Sequence, residues 1–191
     1  QIDWKLYARS DKFFVREAER DSPLIVWCLI DATASMAQAD AARPQWSRLR
    51  AAKALTACVI ELALKQGDRF GLIAASDQGL VVVNAGSGTR HRDQCLLELH
   101  KLKAQGGWPN EALCRPIWER IAANTLVLLL SDDYDEGCVS LAERLAVARR
   151  EVLSVQILTA EEQDFPFQGG HRFRDAETDT ELLTDAAASR S

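Results

Sequence analysis

Leu24-Ile25-Val26-Trp27-Cys28-Leu29-Ile30-Asp31-Ala32-Thr33-Ala34-Ser35-Met36 is the stretch that decides the fold. Leu24 to Ile30 is apolar without a break, the pattern of a strand buried on both faces of a parallel sheet. The run stops at one carboxylate, Asp31, and hydroxyls follow at alternate positions, Thr33 and Ser35. A strand that delivers an acid and two hydroxyls to its carboxyl end gathers oxygen atoms of the kind a hard divalent cation prefers. Open α/β sheets place their ligands at that same edge.

Working outward, the design repeats. Residues 125–130 form a second apolar run, and Ser131-Asp132-Asp133 follows it. Between the two runs, residues 45–66 carry apolar side chains at Leu49, Ala52, Leu55, Val59 and Leu62, stepping by three and four as a helix does. Pro44 suits the first turn and Gly67 the position just past the end. Residues 69–75 and 80–83 read as strands joined by a turn at Ser76-Asp77-Gln78-Gly79. After Gly86-Ser87-Gly88, residues 91–103 are helical with the stripe Cys95, Leu96, Leu99 and Leu102. A further helix runs to about residue 123 through Pro116, another covers 141–150, and 152–158 reads as one more buried strand. Strands alternating with amphipathic helices predict a three-layer α/β fold, a mainly parallel central sheet with helices on both faces. Residues 24–185 are expected to be one domain, with 1–23 an extension packed on it and 186–191 a frayed tail.

Bulk properties narrow the function. A length of 191 residues, 47% of them hydrophobic, supports one well-buried core. The net charge of −5 argues against nucleic acid as the main partner. No apolar run approaches the length needed to span a bilayer, so no membrane contact is expected of this stretch. Starting at Gln1, the chain reads as a piece of a longer protein, whose other parts could hold an anchor. The five cysteines are odd in number and lack C-x-x-C spacing, which disfavours a disulfide framework or zinc site and points to a reducing, cytoplasmic setting. Cys28 and Cys58 read as small core residues; Trp4, Trp27, Trp46 and Trp118 as core or half-core. His91, His100 and His171 show no ligand spacing and read as surface residues. The basic group Arg43, Arg48, Arg50 and Lys53 reads as a solvated helix face. Ser35 has no G-x-S-x-G elbow, and Gly86-Ser87-Gly88-Thr89 lacks the lysine of a phosphate loop.

The candidate site is therefore built from strand ends. Loops after neighbouring parallel strands converge, so Asp31, Thr33, Ser35 and Asp132 could share one centre. The alternative is that each strand-end acid and hydroxyl merely caps a helix. In the acidic run Ser131-Asp132-Asp133-Tyr134-Asp135-Glu136, one or two carboxylates can face a site while the rest cap a helix near Val139.

Asp31-Ala32-Thr33-Ala34-Ser35-Met36 resembles the D-x-S-x-S motif of von Willebrand factor type A domains, with Thr33 in place of the middle serine. Ile2-Asp3-Trp4-Lys5, Ala8-Arg9, Phe14-Val15-Arg16-Glu17, Gly67-Asp68-Arg69-Phe70-Gly71-Leu72-Ile73, Ser131-Asp132 and Arg174-Asp175-Ala176-Glu177-Thr178 look like a bacterial family, domain of unknown function 58. The resemblance implies a von Willebrand type A fold with a metal-ion-dependent adhesion site on Asp31, Thr33, Ser35 and Asp132. It implies magnesium, or manganese or calcium, as the ion. It also implies a non-enzymatic role in binding or assembling proteins, with a MoxR-type AAA+ ATPase or its client as partner.

One departure from the pattern stands out. The middle metal loop of such domains supplies a threonine after glycine, but here Gly106-Gly107 is followed by Trp108-Pro109. An indole offers no oxygen to a metal. Asn110 or Glu111 could compensate; otherwise the site is weakened or lost. The competing reading is an aspartate-nucleophile phosphatase of the haloacid dehalogenase type with Asp31 as nucleophile. There Thr33 stands where the general acid should be.

Overall fold

The computed structural model describes residues 23–164, 170–174 and 181–185. The extension expected at 1–23 (all but its last residue) and the tail at 186–191 lie outside the described residues. β1 (Ile25–Asp31) is the centre of a five-stranded sheet. On one side it pairs in parallel with β2 (Arg69–Ser76), which continues into the antiparallel β3 (Gly79–Gly86). On the other it pairs in parallel with β4 (Leu126–Ser131), which pairs with β5 (Glu151–Gln156). The strand order β3-β2-β1-β4-β5 reverses direction at β1, so β1 and β4 flank the switch point. β6 (Gly170–Arg174) and β7 (Glu181–Asp185) form a separate antiparallel pair.

Alternation along the strands makes the layers. Cys28 and Ile30 of β1, Leu72 and Ala74 of β2, and Leu128 and Leu130 of β4 face α1 (Arg48–Gln66) and α2 (Thr89–Lys101). Trp27 and Leu29, Ile73 and Ala75, and Val127 and Leu129 face α3 (Glu111–Arg120) and α4 (Glu136–Val147). This is the three-layer α/β fold the sequence predicts. The hairpin turn at Asp77-Gln78 is also as expected, with Ser76 paired to Gly79.

Several local expectations change. α1 starts at Arg48 rather than 45, because Ser47 is its N-cap and accepts from Arg50 N at 3.2 Å. Its buried face is Leu49, Ala52, Thr56, Ile60 and Ala63, whereas Leu55 and Leu62 are exposed. Cys58 is exposed, not core, and Trp46 is 46% exposed. α4 begins five residues before 141, since Asp135 caps it by accepting from Gly137 N at 2.7 Å. β5 is a sheet edge, and Leu153 on it is exposed. His91 is half-buried, with Nε2 2.8 Å from the Phe70 carbonyl and its ring against Phe70. α5 (Ala160–Asp164) was not foreseen.

The cysteine thiols are free. Burial pushes Cys28 up to about 12 and Cys95 to about 11, so neither is a nucleophile near neutral pH.

Thr56 gives a first prediction. It is fully buried, and among the described residues its Oγ1 has no hydrogen-bond partner. A buried hydroxyl without a partner costs about 1–3 kcal/mol. Thr56→Val keeps the shape and is expected to stabilise the fold by about 1 kcal/mol. The check is chemical denaturation; a lower unfolding midpoint would mean that the hydroxyl is satisfied after all.

Candidate functional site

The site lies where β1 and β4 end. Asp31 is the last residue of β1 and Ser131 the last of β4, both buried. Asp31 Oδ1 accepts from Thr33 N at 2.9 Å and from Thr33 Oγ1 at 2.7 Å. Its Oδ2 accepts from Ser131 Oγ at 2.7 Å, and Ser131 Oγ in turn accepts from Asp133 N at 3.0 Å. Thr33 Oγ1 and Ser35 Oγ are 3.0 Å apart. Burial pushes the Asp31 carboxyl above its ordinary range, the three donors pull it back down, and the nearby Asp132 charge raises it again.

The middle loop is stitched to this first loop by backbone. Ala34 N donates to Gly106 O at 2.8 Å, Gln105 N to Ala32 O at 2.9 Å, and Asp77 N to Gly107 O at 2.8 Å. Gly106 has φ +69°, a conformation that strains a residue with a Cβ, and a Cβ there would also crowd the Asp77 carboxylate, so glycine is favoured.

Asp132 is also buried, but its partner is a side chain the sequence reading placed in solvent. Arg48 Nη1 donates to Asp132 Oδ2 at 2.6 Å and to Ser35 O at 3.0 Å. Arg48 Nη2 pairs with Glu162 of α5, and the guanidinium carbon sits 5.2 Å from the centre of the Tyr134 ring. The Arg48 side chain is 1% exposed. Glu162 is fixed by Thr159 N, which donates to its Oε2 at 2.8 Å. Arg48 and Glu162 are the two site residues that sequence reasoning missed. For Arg48 a signal existed: it heads, at four-residue steps, the true buried row of Ala52, Thr56 and Ile60.

The four predicted residues are thus brought to one sheet edge in two groups. Asp31, Thr33 and Ser35 form one hydrogen-bonded cluster; Asp132 belongs to an ion pair with Arg48. Trp108 packs on the core beside α4. A Cβ on Gly137 would fall 2.6 Å from Trp108 Cδ1, so the indole lies against the first turn of α4. Asn110 caps α3 by accepting from Leu113 N at 3.0 Å, and Glu111 pairs with Arg144 at 2.9 Å. Both side chains are thus engaged on α3 and α4. Among the described residues no group of three or more His, Cys, Asp or Glu side chains is placed to hold a metal ion. With an indole at the middle loop and Asp132 paired to Arg48, the side-chain oxygens left together for a divalent cation are those of Asp31, Thr33 and Ser35, a sparse set.

The rest of the acidic run divides as expected: Asp135 caps α4, Glu136 occupies its first turn, and Tyr134 is 60% exposed. The phosphatase reading gains nothing from this geometry. Thr33 stays in the general-acid position, and both oxygens of the would-be nucleophile already accept hydrogen bonds.

The family model described as "Protein of unknown function DUF58" matches residues 1–191. The chain belongs to this family. Relatives include uncharacterized proteins of Mycobacterium tuberculosis and Mycobacterium bovis, each 25% identical over 185 residues. The match covers 93% of this chain and 56% of each of those proteins, so the chain spans about half the length of the relatives it matches. Among solved structures, the SpRpn10 VWA domain aligns with a TM-score of 0.47 at 16% identity, over 75% of this chain and 80% of that one. An uncharacterized membrane-spanning protein from Vibrio fischeri aligns with a TM-score of 0.39 at 18% identity, over 86% and 79%. Among the described residues no helix of this DUF58 chain is long and apolar enough to cross a membrane.

Proposed function

We propose that this DUF58 domain is a non-enzymatic protein-interaction module that presents the loops after β1 and β4 to a partner protein. The observation that carries the reading is how the buried oxygens are used. Asp31 accepts from both Thr33 and Ser131, which ties the two loops together and commits both oxygens of this carboxylate to structural hydrogen bonds. Around that rigid centre the exposed side chains are those favoured in interfaces. Tyr134 stands above Arg48, and Trp46 lies 4.8 Å from the Arg50 guanidinium on the adjoining loop. Tyrosine, tryptophan and arginine dominate binding hot spots because they bury much area with little loss of side-chain freedom.

The family resemblance points to a MoxR-type AAA+ ATPase, or its client, as the partner. The test is biolayer interferometry with the MoxR-type ATPase of the same organism. Tyr134→Ala and Trp46→Ala are each expected to weaken binding by about 10-fold or more, a hot-spot effect, with circular dichroism unchanged. Undiminished affinity in both variants would remove this surface from the interface. No binding by the wild type would remove the ATPase as direct partner.

A further inference from the structure

We propose that Arg48 is the resident cation of this site, so that the loops after β1 and β4 are joined by a guanidinium and the surface works without a metal. The inference rests on the interaction-module reading and says what holds its surface in place. A divalent ion on Asp31, Thr33, Ser35 and Asp132 would tie the β1 loop to the β4 loop. Arg48 already does so: one nitrogen, Nη1, takes the Ser35 carbonyl and the Asp132 carboxylate together. Nη2 adds a third segment through Glu162.

The two arrangements compete for Asp132. Asp132 and Glu162 together more than balance a guanidinium that is otherwise removed from water. A divalent ion brought to Asp132 would have to displace Arg48 from that carboxylate or sit beside its positive charge in a poorly screened interior. Asp31 does not need a metal to be satisfied, since its carboxylate has three donors of its own. The remaining place in an adhesion-type ligand set is lost as well, because Trp108 packs on Gly137 and lies against α4. Trp108 thus leaves the middle loop without a ligand, and Arg48 supplies the charge.

Manganese uptake tests this. Chelator-treated wild type, Trp108→Thr, and Trp108→Thr combined with Arg48→Gln are titrated with manganese to about 1 mM, the weak end of biological oxygen sites. The electron paramagnetic resonance signal of free ion is followed. Wild type and Trp108→Thr are expected to take up none, and the double variant about one ion per chain, with a manganese-dependent rise in Tm. Stoichiometric uptake by wild type or Trp108→Thr, abolished by Asp31→Asn, overturns the proposal. So does a folded double variant that takes up none. Should the double variant fail to fold, rescue by manganese supports the proposal, and without rescue the first two titrations decide. Partner affinity is read separately: chelator leaves it unchanged if Arg48 is the cation, whereas the aromatic variants test the surface itself.

Discussion

Arg48→Met is expected to lower the unfolding free energy by about 3–5 kcal/mol, the loss typical of breaking a buried ion pair from one side. Methionine matches the volume of the aliphatic stem but leaves Asp132 almost without donors. Among the described residues only Tyr134 N, at 3.3 Å, still reaches that carboxylate. Ser35 O loses its Arg48 donor at 3.0 Å, and Glu162 loses its contact across to α1. The native pair need not be stabilising relative to an apolar substitute, because desolvating two charges costs nearly what their attraction returns. Arg48→Met combined with Asp132→Leu should therefore recover most of the loss. Arg48→Lys should fall between, since an ammonium cannot span Asp132, Ser35 and Glu162 with one rigid fork. Urea denaturation measures all three, with an unchanged m-value as the sign that stability alone has moved. A loss under about 1 kcal/mol for Arg48→Met would place the pair with ordinary surface bridges and undo its role as the cation of the site.

The architecture was legible because the determining strands are greasy on both faces. Periodicity fails to distinguish faces in such a run, but length and the abrupt stop at Asp31 suffice to mark a central strand and its carboxyl end. The helix faces were less legible. In α1 the apolar residues Leu55 and Leu62 lie on the solvent side, while Thr56 and Arg48 lie inside. Pattern reading ranks residues by hydrophobicity, and this helix buries two polar ones. Asp132 after β4 and Glu162 of α5, both distant in sequence, give Arg48 a reason to be inside. The strand-end members of the site were legible, but Arg48, Glu162 and the pairing were not. Asp31, Thr33 and Ser35 are local in sequence, and the cluster they form follows from the turn after β1. Asp132 and Arg48 are 84 residues apart, and Glu162 is 114 residues from Arg48. Their joining depends on the sheet order, which places β4 beside β1. Trp108 shows the same limit: its sequence position marks it as unable to bind metal, but that it packs onto the first turn of α4 appears only in three dimensions.

Asp31→Ala and Asp31→Asn should separate what this carboxylate does. Alanine removes the acceptor for Thr33 N, Thr33 Oγ1 and Ser131 Oγ together. The two hydroxyls can turn elsewhere, since Thr33 Oγ1 already lies 3.0 Å from Ser35 Oγ. The backbone N–H of Thr33 cannot turn. An unpaired buried donor costs about 1–3 kcal/mol. Removing a buried charge returns part of that, because burial already disfavours the ionised form of Asp31. The expected net loss for alanine is about 2–3 kcal/mol, built from one orphaned amide and the void left by the side chain. Asparagine keeps one acceptor oxygen for Thr33 and can present its amide to Ser131 Oγ, so its loss should be about 1 kcal/mol. A carboxylate whose task is to hold a cation predicts the opposite pattern, in which the two variants fail alike because both lack charge. Equal destabilisation by Asn and Ala, especially with a response to added manganese in the wild type alone, would return a metal to this strand end. A large gap between them, insensitive to chelator, makes Asp31 the hydrogen-bond hub that sets the β1 loop, with the positive charge of the site supplied from α1.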